Sequence, residues 1–80
     1  MNLSEFVKER DAAFIDFVKT GNVSRFERYC KKYDIPLPEN KKVMAAGIYK
    51  AVQECTGIPK AVKVMAAAKC MALGMSPFIF

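Results

Sequence analysis

Histidine is absent from this 80-residue chain, and acidic residues are scarce in its second half. The lack of histidine removes the usual general base, the usual activator of a serine or cysteine nucleophile, and the commonest zinc ligand. The three cysteines show no C-x-x-C spacing, so they do not form a recognisable zinc motif. The sequence therefore predicts a protein that is not an enzyme and that holds no metal or other cofactor.

Long hydrophobic runs are also missing. The longest uninterrupted apolar stretch is residues 64–68, whereas about 18 or more residues are needed to cross a bilayer. The first ten residues carry Glu5, Lys8, Glu9 and Arg10 where a secretion signal needs an apolar segment. An odd number of widely spaced cysteines is typical of reduced thiols. We therefore expect a cytoplasmic protein with no transmembrane segment.

The cysteines are Cys30, Cys55 and Cys70. Cys30 lies beside Lys31 and Lys32, and cationic neighbours can lower the pKa of a thiol enough to make it reactive. It also lies on the apolar stripe of its predicted helix, and free cysteine is among the residues most often buried. We interpret all three cysteines as structural.

Small size limits how much core this chain can build. Its 80 residues, 52% of them hydrophobic, predict one domain spanning residues 1–80. A core of this size seldom supplies more than about 3–5 kcal/mol, and association with a second copy or a partner adds to stability. Self-association is therefore an expectation from size alone.

Four stretches repeat apolar residues at intervals of three and four, which predicts four helices. The first helix is predicted to begin with Asn2 and Glu5 and to end at Gly21, and the second to begin with Ser24 and Glu27, or with Asn22, and to end near Asp34. The third is predicted to begin at Pro38 or Asn40 and to end at Cys55, where Thr56-Gly57 follows. The fourth is predicted to begin at Pro59 and to end at Leu73, where Gly74 follows. No stretch alternates with period two, so no strand is expected. Unequal helix lengths and a proline-rich connector over 34–40 favour a small all-α, irregular (orthogonal) four-helix array with short loops and an apolar C-terminal tail.

The spacing in the fourth helix also predicts which residues face inward. These are Ile58, Ala61, Val62, Met65, Ala66, Lys69, Ala72 and Leu73. In the third helix, Gly47 costs about 1 kcal/mol relative to alanine, and we expect it to let the third and fourth helices approach closely. A contact between two molecules is the alternative role for Gly47.

Charge divides the chain into two unlike halves. Residues 1–39 carry seven basic and seven acidic side chains, and we interpret the acidic ones as facing solvent. Residues 40–80 carry six lysines against the single acid Glu54. The lysines proposed as contacts for an anion or nucleic acid are Lys41, Lys42, Lys50, Lys60 and Lys63. A patch that lacks arginine and has only Tyr49 as an interleaved aromatic is also typical of a solvated helix surface.

The apolar residues after the fourth helix predict a contact with a partner. They are Met75, Phe78, Ile79 and Phe80. Folding back over the core and insertion at a membrane surface are the alternatives. The function predicted is a small non-enzymatic interaction module, a homodimer or an adaptor, acting through its C-terminal helix and tail. The alternative is a nucleic-acid-binding accessory protein of bacteria or their mobile elements that uses the lysines.

Overall fold

Four helices follow one another through short connections in the computed structural model of the protein, which describes residues 3–74. Their bounds are α1 Leu3–Thr20, α2 Ser24–Lys32, α3 Lys41–Glu54 and α4 Lys60–Ala72. Among the described residues there is no strand. The prediction of a small all-α, four-helix array is confirmed. The predicted cap Asn2 and the tail over 75–80 lie outside the described residues.

A side-chain cap explains where α3 begins, whereas Val23, the residue before α2, makes no side-chain capping hydrogen bond. Asn40 Oδ1 accepts hydrogen bonds from two backbone N–H groups of the first turn of α3, at 2.9 and 3.2 Å, so the second of the two predicted starts is correct. Asn22 Oδ1 accepts from the N–H of Ser24 at 2.9 Å. The N–H of Glu27 donates to the carbonyl oxygen of Val23 at 2.9 Å. The predicted capping box of Ser24 and Glu27 is therefore wrong.

Glycine ends two of the helices as predicted and has a different role after α3. Gly21 and Gly74 have φ of 74° and 77°, a left-handed conformation that side chains disfavour. α3 ends at Glu54, before the predicted Thr56-Gly57 stop. Gly57 does not have a positive φ, and a Cβ placed there would lie 2.5 Å from Oδ2 of Asp11. The missing side chain of Gly57 thus makes room for a carboxylate of α1.

Asp11 is the acidic residue that departs from the expectation of solvent exposure. Only 9% of its surface is exposed, because it lies where α1 meets the connection between α3 and α4. Nη2 and Nε of Arg10 donate to Oδ1 of Asp11 at 3.0 and 3.2 Å. A part-buried carboxylate needs such a partner, since an unpaired buried charge is strongly destabilising.

α1 is the central element and packs against each of the other three helices, while α2 approaches only α1 and α4 packs mainly on α3. In a regular up-down bundle each helix packs on two neighbours, so this arrangement is irregular. The main core contains Phe14, Phe17, Val18, Ile48, Tyr49, Val52, Cys55, Ile58, Val62, Ala66 and Cys70. A smaller cluster under α2 contains Ala13, Tyr29 and Cys30.

A polar contact fastens the end of α2 to α1. Oε1 of Glu9 accepts a hydrogen bond from Nζ of Lys32 at 2.6 Å, and Oε2 accepts one from the hydroxyl of Tyr33. The rings of Phe6 and Tyr33 form an edge-to-face pair with centroids 4.8 Å apart. The hydrogen bonds from Lys32 and then Tyr33 hold the pKa of the Glu9 carboxyl below its ordinary value of 4.5.

This lowered pKa predicts a loss of stability in acid. The unfolded Glu9 protonates near pH 4.5, whereas the folded carboxyl protonates only at lower pH, so its contribution is complete above 4.5 and disappears as pH falls through the folded pKa. Urea unfolding of the native chain and of Glu9→Gln between pH 6 and 3 measures this contribution. We expect the native chain to lose more stability than the variant over that range. Equal losses would show that Glu9 contributes nothing through its charge.

Candidate functional site

The inner side of α4 belongs to the main core. Val62, Ala66 and Cys70 recur every four residues and are buried, and Ile58 just before the helix continues the same line. A four-residue interval keeps side chains on one side of a helix. α4 is thereby fixed on α3 by one continuous apolar row.

The opposite side of α4 is also apolar, although it faces solvent. Its exposed apolar residues are Ala61, Val64, Met65, Ala68, Met71 and Ala72. The exposed fractions of the three larger side chains are 61% for Val64, 38% for Met65 and 60% for Met71. None of the six residues belongs to either core cluster. We call these six residues the outer face of α4.

The prediction of the inner side of α4 was wrong for Ala61, Met65 and Ala72, which are exposed, and it omitted Cys70, which is fully buried. A helix that is apolar all round gives no contrast between its sides, so periodicity alone does not tell which side is covered. Lys69 was correctly placed on the inner side. Its ammonium donates a hydrogen bond to a backbone carbonyl in the last turn of α1, where helix carbonyls lack intrahelical donors.

Gly47 does not bring α3 and α4 together, so that prediction was wrong. It is exposed, and a Cβ added to it would meet no atom within 4 Å. The buried small residues on these two helices are Ala46 and Ala66, with 2% and 0% exposed. Gly47 instead lines a shallow apolar groove of about 160 Å³, together with Phe14, Phe26, Pro38, Val43, Met44, Ile48 and Ala51.

The five lysines predicted to bind an anion lie in three places. Lys41 and Lys42 are the first two residues of α3, and Lys60 and Lys63 lie in the first turn of α4. Lys50 lies about two and a half turns after Lys41 along α3, a distance of about 13.5 Å at the usual rise of a helix. Neither first turn contains an acidic residue. The fold thus places lysine pairs at the positive ends of two helix dipoles.

The predicted partner contacts Met75, Phe78, Ile79 and Phe80 lie outside the described residues. In the sequence they come after α4, Leu73 and Gly74. Sequence reasoning therefore assigned the outer face of α4 partly to the core and assigned the residues that come after α4 in the sequence to a partner.

A polar groove between α1 and α2 was not predicted. It encloses about 470 Å³ and is lined by Glu9, Asp16, Asn22, Ser24, Arg25, Arg28, Tyr29 and Lys32. Acidic and basic side chains both line this groove. The net charge of residues 1–39 is zero, but the charge is not zero at every part of their surface. The signal was present in the spacing of Arg25, Arg28 and Lys32, which puts three cations on one side of α2.

The three cysteines are free and buried, as interpreted from the sequence. Burial raises the pKa of the Cys30 thiol, and no lowering by Lys31 or Lys32 contributes to it. Burial likewise raises the pKa of Cys55, whose Sγ lies 3.3 Å from the carbonyl oxygen of Ala51. A raised pKa leaves the thiols of Cys30 and Cys55 in the unreactive protonated form at neutral pH.

Within the range 3–74 no group of three or more cysteine, aspartate and glutamate side chains is placed to hold a metal ion. In the same range no helix is both long enough and apolar enough to span a bilayer. No protein-family model, no curated protein and no solved structure matches the chain.

Proposed function

We propose that the protein is a non-enzymatic interaction module in the cytoplasm that docks onto another protein chain through the outer face of α4. One observation carries the proposal: every exposed residue of α4 after Lys60 is apolar, over the whole length of the helix. A helix that is apolar on all sides is usually buried on all sides. The core covers one side, and a partner is the proposed cover for the other.

The sizes of the exposed side chains give the proposal an energetic basis. Full burial of a valine or methionine side chain contributes about 1.5–3 kcal/mol, and Val64 and Met71 are both more than half exposed. Single exposed apolar residues are ordinary on a protein surface, whereas contiguous ones mark interaction sites. Lys60 and Lys63 at the start of α4 supply a charged rim to this apolar surface.

Photo-crosslinking at defined positions tests the proposal. A benzophenone amino acid placed at Val64 or Met71 is expected to yield protein adducts on irradiation in cells that express the chain. The matched control is the same amino acid at Lys31, which is also exposed but lies on α2. We expect adducts at the two α4 positions and none at the control. Adducts at none of the three positions, or equally at all of them, would contradict the proposal.

Nucleic-acid binding is the second candidate, favoured by the lysine pairs at the starts of α3 and α4. If these lysines contact phosphates, affinity falls linearly on a log-log plot against salt, with a slope of about 0.9 per contact on duplex DNA. Replacing Lys60 and Lys63 with glutamine is then expected to reduce the slope by nearly two. Fluorescence anisotropy with labelled DNA and RNA measures both quantities. No binding by the native chain at low salt would rule this candidate out.

A further inference from the structure

The outer face of α4 has the residue spacing of a helix-pairing seam. Its six residues are separated by three, one, three, three and one positions. In heptad terms the two alanines Ala61 and Ala68 take position a, the larger Val64 and Met71 take position d, and the remaining two take position e. Such a spacing over two heptads forms a stripe suited to packing against another helix.

We propose that a second copy of this chain occupies the outer face, with the two α4 helices antiparallel. This inference rests on the proposed function and names the partner. A face that pairs with its own copy about a two-fold axis must be complementary to itself. The two copies are complementary in side-chain size and in charge only when their α4 helices are antiparallel.

Side-chain size favours the antiparallel direction. Reversing one helix sets position a against position d, so that Ala61 of one copy faces Met71 of the other, and Ala68 faces Val64. Each layer then joins one small and one large residue, which is how facing side chains interdigitate at even density. A parallel pair would set alanine against alanine and methionine against methionine, with layers of unequal thickness.

Charge favours the same direction. α4 carries Lys60 and Lys63 in its first turn and has no acidic residue in that turn. A parallel pair would bring four lysines together. In the antiparallel pair the two copies of Lys60 lie about 18 Å apart along the helix axis and the two copies of Lys63 about 9 Å apart, which is twelve and six helical steps. Lys60 then lies beside the negative end of the other helix dipole. Lys69 does not oppose it there, because its ammonium is turned inward to a carbonyl of α1.

Disulfide trapping between two variants that each add one exposed cysteine tests both the partner and the direction. Ala61→Cys and Met71→Cys alter exposed positions, so the fold is retained, which circular dichroism checks. Mild oxidation is applied to each variant alone and to their mixture, with one carrying a size tag. The unaltered chain is the control, since Cys30, Cys55 and Cys70 are buried.

We expect the mixture to give a several-fold excess of the mixed disulfide over the amount of dimer in either variant alone, because a disulfide needs Cα atoms within about 7 Å. Dimer from each variant alone, without the mixed species, would overturn the antiparallel direction. No disulfide in any sample at millimolar concentration would overturn self-pairing altogether. In that case photo-crosslinks from Val64 to another protein would leave the proposed function standing, so the two failures are distinguishable.

Discussion

Replacing Val64 and Met71 together with glutamate is expected to convert the proposed dimer into a monomer without loss of helix. Both side chains are more than half exposed in the single chain, so the fold itself has little to lose. In the antiparallel pair the same positions are covered, and the double variant places four carboxylates in the seam. Covering these carboxylates removes their hydration, which is strongly unfavourable, and Lys60 of the other copy lies near only the glutamate at position 71. Sedimentation velocity is expected to show a dissociation constant raised at least about 100-fold, equivalent to roughly 2.7 kcal/mol.

Val43→Glu is the matched control for that experiment. Val43 is also a valine with half of its surface exposed, at 53%, but it lies on α3. A glutamate there sits near the positive end of the α3 dipole, so it is not expected to weaken the helix. The control is expected to keep the mass of the native protein. Loss of the dimer in the control and the double variant alike would mean that added negative charge acts without regard to position.

Phe17→Ala is expected to unfold most of the protein at 25 °C. Phe17 is 7% exposed in the main core, and its ring centroid lies 5.7 Å from that of Tyr49 on α3. Truncating a buried phenylalanine to alanine costs about 3–5 kcal/mol through lost burial and the cavity left behind. That loss is comparable to the whole stability of a core this small. Far-ultraviolet circular dichroism and urea unfolding measure the result.

Leu3→Ala is the control for the core substitution. Leu3 is a large apolar residue at the start of α1, and it is 74% exposed. Its truncation is expected to change the free energy of unfolding by less than about 0.5 kcal/mol. A native-like unfolding curve for Phe17→Ala would contradict the placement of α1 at the centre of the fold.

Local sequence signals predicted the helices well, because the determinants of their ends are short-range. The stops at Gly21 and Gly74 and the start at Asn40 depend on the conformation and hydrogen bonding of one residue and its near neighbours. The failed capping box at Ser24 is also a local matter. Asn22 and Ser24 are both of residue types that commonly cap helices, and the sequence does not show which of the two side chains accepts a backbone hydrogen bond.

The errors concern long-range packing, which residue spacing does not encode. Asp11 looked like a surface acid, and its burial depends on Gly57, 46 positions later in the chain, leaving room for it. Gly47 looked like a packing residue and is exposed. On α4, inner and outer sides are both largely apolar, so only the positions of α1 and α3 show that Ala61 and Met65 are outside. Because of that last error, the sequence-based prediction missed the outer face of α4 as a candidate site and named the C-terminal tail instead.

The mass of the purified chain in solution, measured by light scattering from about 1 to 500 µM, shows whether the chain pairs with itself. A short two-heptad seam is at the small end of specific interfaces, so we expect a dissociation constant on the order of micromolar. We expect a mass that rises with concentration from 9.0 kDa to twice that value and no further. A mass that stays at that of a single chain over the whole range would contradict self-pairing through the outer face of α4.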